Sequence, residues 1–184
     1  MKNTRTEKQI KVELKGSGNL TINGSSESGS QTLKQTAFAS ANVINIQMVK
    51  ERQLLYNGNR LTSPEQGAAA FCALVGNPDR EFFICMLLDG KNRISGLHTV
   101  SQGSLNQSIV HPRETFKAAI LANSAGILLA HNHPTGDLTP SREDIEITRR
   151  LREAGDILGI KVVDHIIIDT ETGRSNSFVS SGLM

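Results

Sequence analysis

The chain is poor in the features that mark several protein classes. It has two cysteines, Cys72 and Cys85, in 184 residues. Their spacing matches neither a zinc knuckle nor a C-x-x-C redox motif, which leaves two reduced, buried thiols as the expectation. No apolar run reaches membrane-spanning length, and this argues against a membrane partner. The N-terminus (MKNTRTEKQIKVELKG) lacks the apolar core of a secretory signal, so the expected compartment is cytoplasmic. Charge of one sign is also missing. Twenty basic residues against eighteen acidic give a net +2, with the two kinds interspersed. DNA as a partner therefore has no support from charge. No internal repeat is visible.

What is present is a soluble-globular composition, 38% hydrophobic and 21% charged, unevenly distributed. Residues 1–40 include GSGNLTINGSSESGSQ, which has too little apolar surface to offset its ordering entropy. They read as a flexible Gly/Ser-rich tail, in which short strands near Ile10–Leu14 and Leu20–Ile22 pair transiently. The folded domain is expected over residues 42–184. VINIQMVKE (43–51) alternates like a strand. Ser63-Pro64 opens a helix that runs to Val75 and stops at Gly76. The continuous apolar run at Glu81–Leu88 predicts a strand buried on both faces. Asp89–Asn92 predicts a turn and Arg93–Ser101 the return strand. His111-Pro112 opens a second helix, with His111 as its cap.

Gly126–Ala130 predicts a short buried strand. Thr139-Pro140 opens a third helix, with Ile147, Leu151, Ala154 and Leu158 as its apolar stripe and Gly159 as its end. Lys161–Asp169 and Ser177–Val179 complete the strands. The order α-β-β-α-β-α-β-β predicts an α/β fold, a mixed sheet sandwiched by helices.

The chemistry concentrates in one stretch. His131-Asn132-His133-Pro134 leaves the Gly126–Ala130 strand, and Ser141-Arg142-Glu143-Asp144 follows. Two imidazoles and one carboxylate suffice as protein ligands for a catalytic zinc that keeps a position open for water. An H-x-H pair on extended chain sends both rings to one side, and Asn132 to the other. Ser141 and Asp144, at i and i+3, share a helix face. One Zn2+ per chain is expected on His131, His133 and Asp144. The water it acidifies needs a base. Glu81, at the mouth of a buried strand, is the candidate, and Ser141 is the candidate hydrogen-bond donor to an oxyanion. Each has a plainer reading: S-x-x-D also resembles a capping box, and Glu81 also suits a strand end in water. Asp164-His165, inside an apolar strand, is either a hydrogen-bonded core pair or support for the metal ligands. His98 reads as a sheet-surface residue, and Asp137 as a partner for Arg142 or a backbone amide.

H-x-H-x7-S-x-x-D resembles the JAMM signature of MPN-type metallopeptidases. SLNQSIVHPRETFKAAI, ILLAHNHPTGDLTPSREDIEITRRL and LGIKVVDHIIID are similar to the bacterial RadC family, over about residues 60–184. The resemblance implies a cytidine-deaminase-like three-layer JAB/MPN domain and a zinc metallopeptidase. It carries the ligands onto His131, His133 and Asp144, the base onto Glu81 in REFFICMLL, and the oxyanion helper onto Ser141. The implied substrate is a protein or peptide cut at a peptide or isopeptide bond. The alternative is a DNA repair, recombination or mobile-element accessory protein with a structural or vestigial metal site. RadC proteins often carry an N-terminal helix-hairpin-helix, and residues 1–40 show no such pattern. The letters H-N-H do not make an HNH nuclease. Zinc nucleobase deaminases need a P-C-x-x-C pair that Cys72 and Cys85 do not form.

Overall fold

The computed structural model describes residues 12–15, 19–22, 41–56, 60–103 and 110–184. The chain divides into two units, Met1–Ile44 and Asn45–Met184. In the first, strands β1 (Val12–Lys15) and β2 (Asn19–Ile22) pair antiparallel, Val12 with Ile22 and Lys15 with Asn19. The rest of the tail proposed for residues 1–40 lies outside the described residues.

Among the described residues the second unit holds three helices and five strands. Helix α1 spans Pro64–Val75, followed by β3 (Phe82–Leu88) and β4 (Ile94–Gln102). Then come α2 (Pro112–Leu121), β5 (Gly126–Asn132), α3 (Arg142–Leu158), β6 (Lys161–Ile168) and β7 (Ser175–Ser177). This is the α-β-β-α-β-α-β-β order read from the sequence. The strands lie side by side as β4-β3-β5-β6-β7, with β5–β6 the parallel pair and the others antiparallel. The right neighbours follow from composition: β5 is buried along its whole length and takes the centre, as an all-apolar run must.

Alternation along the strands supplies two cores. Ile84, Met86, Leu128, Ala130, Ile166 and Ile168 pack with Ala68, Ala70 and Phe71 of α1. Phe83, Cys85, Ile127, Leu129 and Val162 pack with Phe116 and Ala119 of α2 and Leu151 of α3. The result is the expected three layers, one helix on one face and two on the other. Cys85 belongs to the second core, and burial pushes its thiol up to about 12. Cys72 is part-buried, and burial raises it as well.

Three expectations change. Residues 43–51 form no strand, and Val43, Ile44, Ile46 and Val49 are exposed. Alternation makes a strand only where a partner edge and an apolar surface receive it. Helix α3 begins at Arg142, not at Thr139-Pro140, because Ser141 caps it. Its buried line is Asp144, Thr148, Leu151 and Gly155, whereas Leu158 is 45% exposed. Gly155 permits the close approach: a Cβ there would meet the Ile160 carbonyl oxygen at 2.6 Å. The last strand ends at Ser177, although the Phe178 amide still donates to the His165 carbonyl at 2.9 Å. Among the described residues no helix is long and apolar enough to cross a membrane.

Candidate metal centre

β5 carries Ile127, Leu129 and His131 on the face toward α3, and His131 is fully buried there. His133 follows at the strand exit, with its Nε2 3.1 Å from Nε2 of His131. The H-x-H spacing thus delivers both rings to one place, as expected of extended chain. Asp144 comes from the first turn of α3 and is also fully buried. Its Oδ1 lies 3.2 Å from His131 Nε2, and its Oδ2 lies 3.5 Å from His133 Nε2. One ligand atom from each residue falls within 4.8 Å of the others, a group that can hold a metal ion.

Hydrogen bonding fixes which ring atoms carry protons. The His133 Nδ1 sits 2.7 Å from the Asp137 carbonyl, which only accepts, so Nδ1–H donates and Nε2 is the atom that presents a lone pair when the ring is neutral. His131 is set by a longer chain. Thr148 donates its one hydroxyl proton to the Asp144 carbonyl at 2.5 Å and accepts from His165 Nδ1, also at 2.5 Å. That leaves His165 Nε2 to accept from His131 Nδ1–H at 2.8 Å. Burial, with the nearby His131 second, holds the His165 pKa well below 6.5 and keeps this ring neutral. In a neutral His131 ring, Nε2 is then the atom that presents a lone pair. With both rings neutral, as metal binding requires, two ring nitrogens converge on the carboxylate. Asp144 Oδ1 is buried and has no hydrogen-bond partner among the described residues. Acceptors packed in this way repel one another unless a cation lies among them. Two neutral imidazoles and one carboxylate are a donor set suited to zinc.

Electrostatics couple the three groups. Burial works to raise the Asp144 carboxyl, but the His131 and His133 rings and the Ser141 hydroxyl outweigh it and hold it well below the carboxylate range. The Asp144 contact raises His133 against an opposing burial effect, and the Asp137 carbonyl and the charge of Glu81 add to the rise. Glu81 is therefore close enough to His133 to act on it. The β3–β5 ladder ends at Phe83 opposite His131, and two more steps in that register bring Glu81 opposite His133.

Ser141 and Asp144 form a reciprocal capping box, the plainer of the two readings of S-x-x-D. The Ser141 amide donates to Asp144 Oδ2 at 2.8 Å, its hydroxyl donates to the same oxygen at 2.6 Å, and the Asp144 amide donates back to the hydroxyl at 3.1 Å. Asp164 and His165 part company, as neighbours on a strand do. His165 supports His131, whereas Asp164 accepts from the Ser177 hydroxyl and the Val179 amide on the β7 side. Asp137 accepts from the Thr139 amide at 2.9 Å, not from Arg142. His111 caps α2 by accepting from the Arg113 amide at 3.1 Å. His98 is half-buried on β4, and burial lowers its pKa.

Several supporting residues carried no expectation. Thr148 was findable, one turn beyond Asp144 on the same face. Phe83 stacks on His131 at 6.0 Å between centroids, and Phe178 lies 4.6 Å from His165. Asn176 Nδ2 donates to the Leu138 carbonyl at 2.9 Å and ties down the loop between the ligands. Phe178 and Asn176 arrive from the end of the chain, and no local pattern announces them.

Known proteins share this sequence. A UPF0758 protein of Geobacter sulfurreducens is 53% identical over 156 residues, 85% of this chain and 67% of the relative. A UPF0758 protein of Geotalea uraniireducens is 59% identical over 125 residues, 68% of this chain and 54% of the relative. One of Pelobacter propionicus is 55% identical over 130 residues, 71% and 56% respectively. The chain thus spans between half and two thirds of the length of these relatives. The family model described as RadC-like JAB domain matches residues 61–183, which takes in all three helices, the five-stranded sheet and the His131–His133–Asp144 group. The chain belongs to the RadC-like JAB domain family.

Proposed function

We propose that the chain is a zinc-dependent metallohydrolase of the JAMM type that cleaves a peptide or isopeptide bond in a protein or peptide substrate. The observation that carries this reading is the convergence of the His131 and His133 Nε2 atoms on the buried Asp144 carboxylate, whose Oδ1 has no hydrogen-bond partner among the described residues. A zinc ion held by His131, His133 and Asp144 supplies Lewis acidity and lowers the pKa of a water to about 7.

The chain's own groups do the rest. Glu81 accepts a proton from the attacking water and returns it to the departing amine. The water oxygen joins the carbonyl carbon, the C–N bond breaks, and the products are a carboxylate and an amine. Ser141 offers its hydroxyl to the oxyanion. To do so the hydroxyl turns away from Asp144 Oδ2, which keeps its bond from the Ser141 amide. Phe83 lies against the ligand His131 and Phe178 against its supporting His165, and apolar walls strengthen every charge interaction within.

Glu81→Gln protein is expected to retain zinc and lose hydrolysis. Used as a trap on cell extract and read by mass spectrometry, it is expected to hold protein or peptide partners that the wild type releases. Recovery of DNA alone contradicts the peptidase reading and supports an accessory role in repair or recombination.

A further inference from the structure

We infer that Asn132, the residue between the two histidines, is a positioning residue that sets the candidate base Glu81 against the metal site. The inference rests on the metallohydrolase reading above. Asn132 is 1% exposed and points to the opposite side of β5 from His131. Its Oδ1 accepts from the Phe82 amide at 2.9 Å, and its Nδ2 donates to the Arg80 carbonyl at 3.1 Å. The orientation of the amide is not free, since a backbone N–H only donates and a carbonyl only accepts. These two contacts bracket Glu81. The Glu81 carbonyl is itself held by the Gly103 amide at 2.9 Å. Three consecutive residues, Arg80, Glu81 and Phe82, are thus fixed by hydrogen bonds from outside their own segment.

The placement follows from strand geometry. The β3–β5 ladder ends at Phe83 and His131, one step short of Asn132 and two short of His133. Pro134 follows His133 and lacks the N–H with which a backbone ladder would continue. The Asn132 carboxamide bridges the two chains where the ladder stops. An Asn presents one donor and one acceptor in a fixed plane, the combination needed to join an N–H and a C=O of one neighbouring strand. Asp lacks the donor and Leu lacks both. The tripeptide 131–133 therefore uses alternation twice: its outer residues present ligand nitrogens, and its middle residue holds the segment that carries the base.

The test uses the full chain loaded with cobalt(II), whose visible absorption bands report a water that ionises at the metal. Wild-type protein gives a pH midpoint for the spectral change, and Glu81→Gln moves it. Asn132→Ala is expected to bind cobalt at the wild-type stoichiometry and to reproduce the greater part of the Glu81→Gln displacement, in the same direction. Asn132→Asp keeps the bond from the Phe82 amide and is expected to fall between, which secures the test should the alanine variant fold poorly. In a Glu81→Gln background, Asn132→Ala is expected to add nothing. A wild-type midpoint in both Asn132 variants, or an equal displacement with and without Glu81, overturns the inference and leaves the metallohydrolase reading intact. Failure of the wild type to take up cobalt overturns that reading itself, before any variant is compared.

Discussion

On the α1 side of the sheet, Ile84, Met86, Leu128, Ala130, Ile166 and Ile168 meet Ala68, Ala70 and Phe71 in an apolar cluster. On the other side the same strands carry Phe83, Ile127, Leu129 and Val162 against α2 and α3, then end in His131 and His165 facing Asp144 and Thr148. Both sides are equally dry at their centres. They differ in what the buried groups need. Leu128 or Phe71 is stable because it has left water. His131 and Asp144 have left water as well, and their lone pairs face one another. The first side holds the domain together, and the second holds a group of side chains that can hold a metal ion.

The largest contrast should come from Asp144→Asn. Its metal affinity is expected to fall by more than the roughly 10–100-fold that outer partners of a metal site carry. Because an amide can donate where the carboxylate only accepts, the metal-free variant should melt no lower than the metal-free wild type. Calorimetry with and without zinc measures both. Phe71→Ala is the mirror case. It should lose about 3–5 kcal/mol in a urea titration, by cavity formation, and bind zinc at the same stoichiometry. If Phe71→Ala lost the metal while staying folded, or Asp144→Asn unfolded the chain, the division between the two sides would be wrong.

His165→Leu sharpens the contrast, because it keeps the site's three ligands and removes the acceptor that sets the His131 tautomer. Zinc affinity is expected to drop about 10–100-fold, read by competition with a chromophoric chelator. An unchanged affinity would mean that the Thr148–His165–His131 chain does not orient the ligand.

The sequence showed what is local and missed what is assembled. Ser63-Pro64 marked the start of α1, and EFFICMLL marked a central strand, because caps and unbroken apolar runs depend on few neighbours. S-x-x-D was readable as a cap from four residues alone, and the reciprocal bonds of that cap are present. The α3 stripe was misjudged at its ends. Hydropathy assigned Leu158 to the core and passed over Thr148, whereas the helix turns Thr148 inward to reach His165 and leaves Leu158 45% exposed. The 43–51 segment alternates like a strand, but alternation says nothing of a partner. Glu81 had a local signal at the mouth of β3. Its alignment with His133 depends on the β3–β5 register, and Asn132's hold on the neighbouring backbone spans 50 residues of sequence in one bond and 52 in the other.

The smallest expected effect lies far from both cores, at the β3–β4 turn. Asp89 accepts from the Arg93 and Lys91 amides and from the Arg93 guanidinium, which lower its pKa from 3.8 to about 2. A folded-state pKa below the unfolded one contributes stability that is present above 3.8 and lost as pH falls through about 2. Acid titration of Asp89→Asn should show a slightly flatter decline in that window and no change in zinc binding. A zinc defect there would mean that the turn communicates with the site.

The central claim is that His131, His133 and Asp144 hold a metal because their ligand atoms converge within 4.8 Å of one another. The direct measurement is the zinc content of purified, chelator-stripped and reloaded protein, wild type beside the His131→Ala, His133→Ala double variant. The account predicts about one zinc per wild-type chain, by the three-ligand template, and none in the double variant. Equal zinc in both would contradict it.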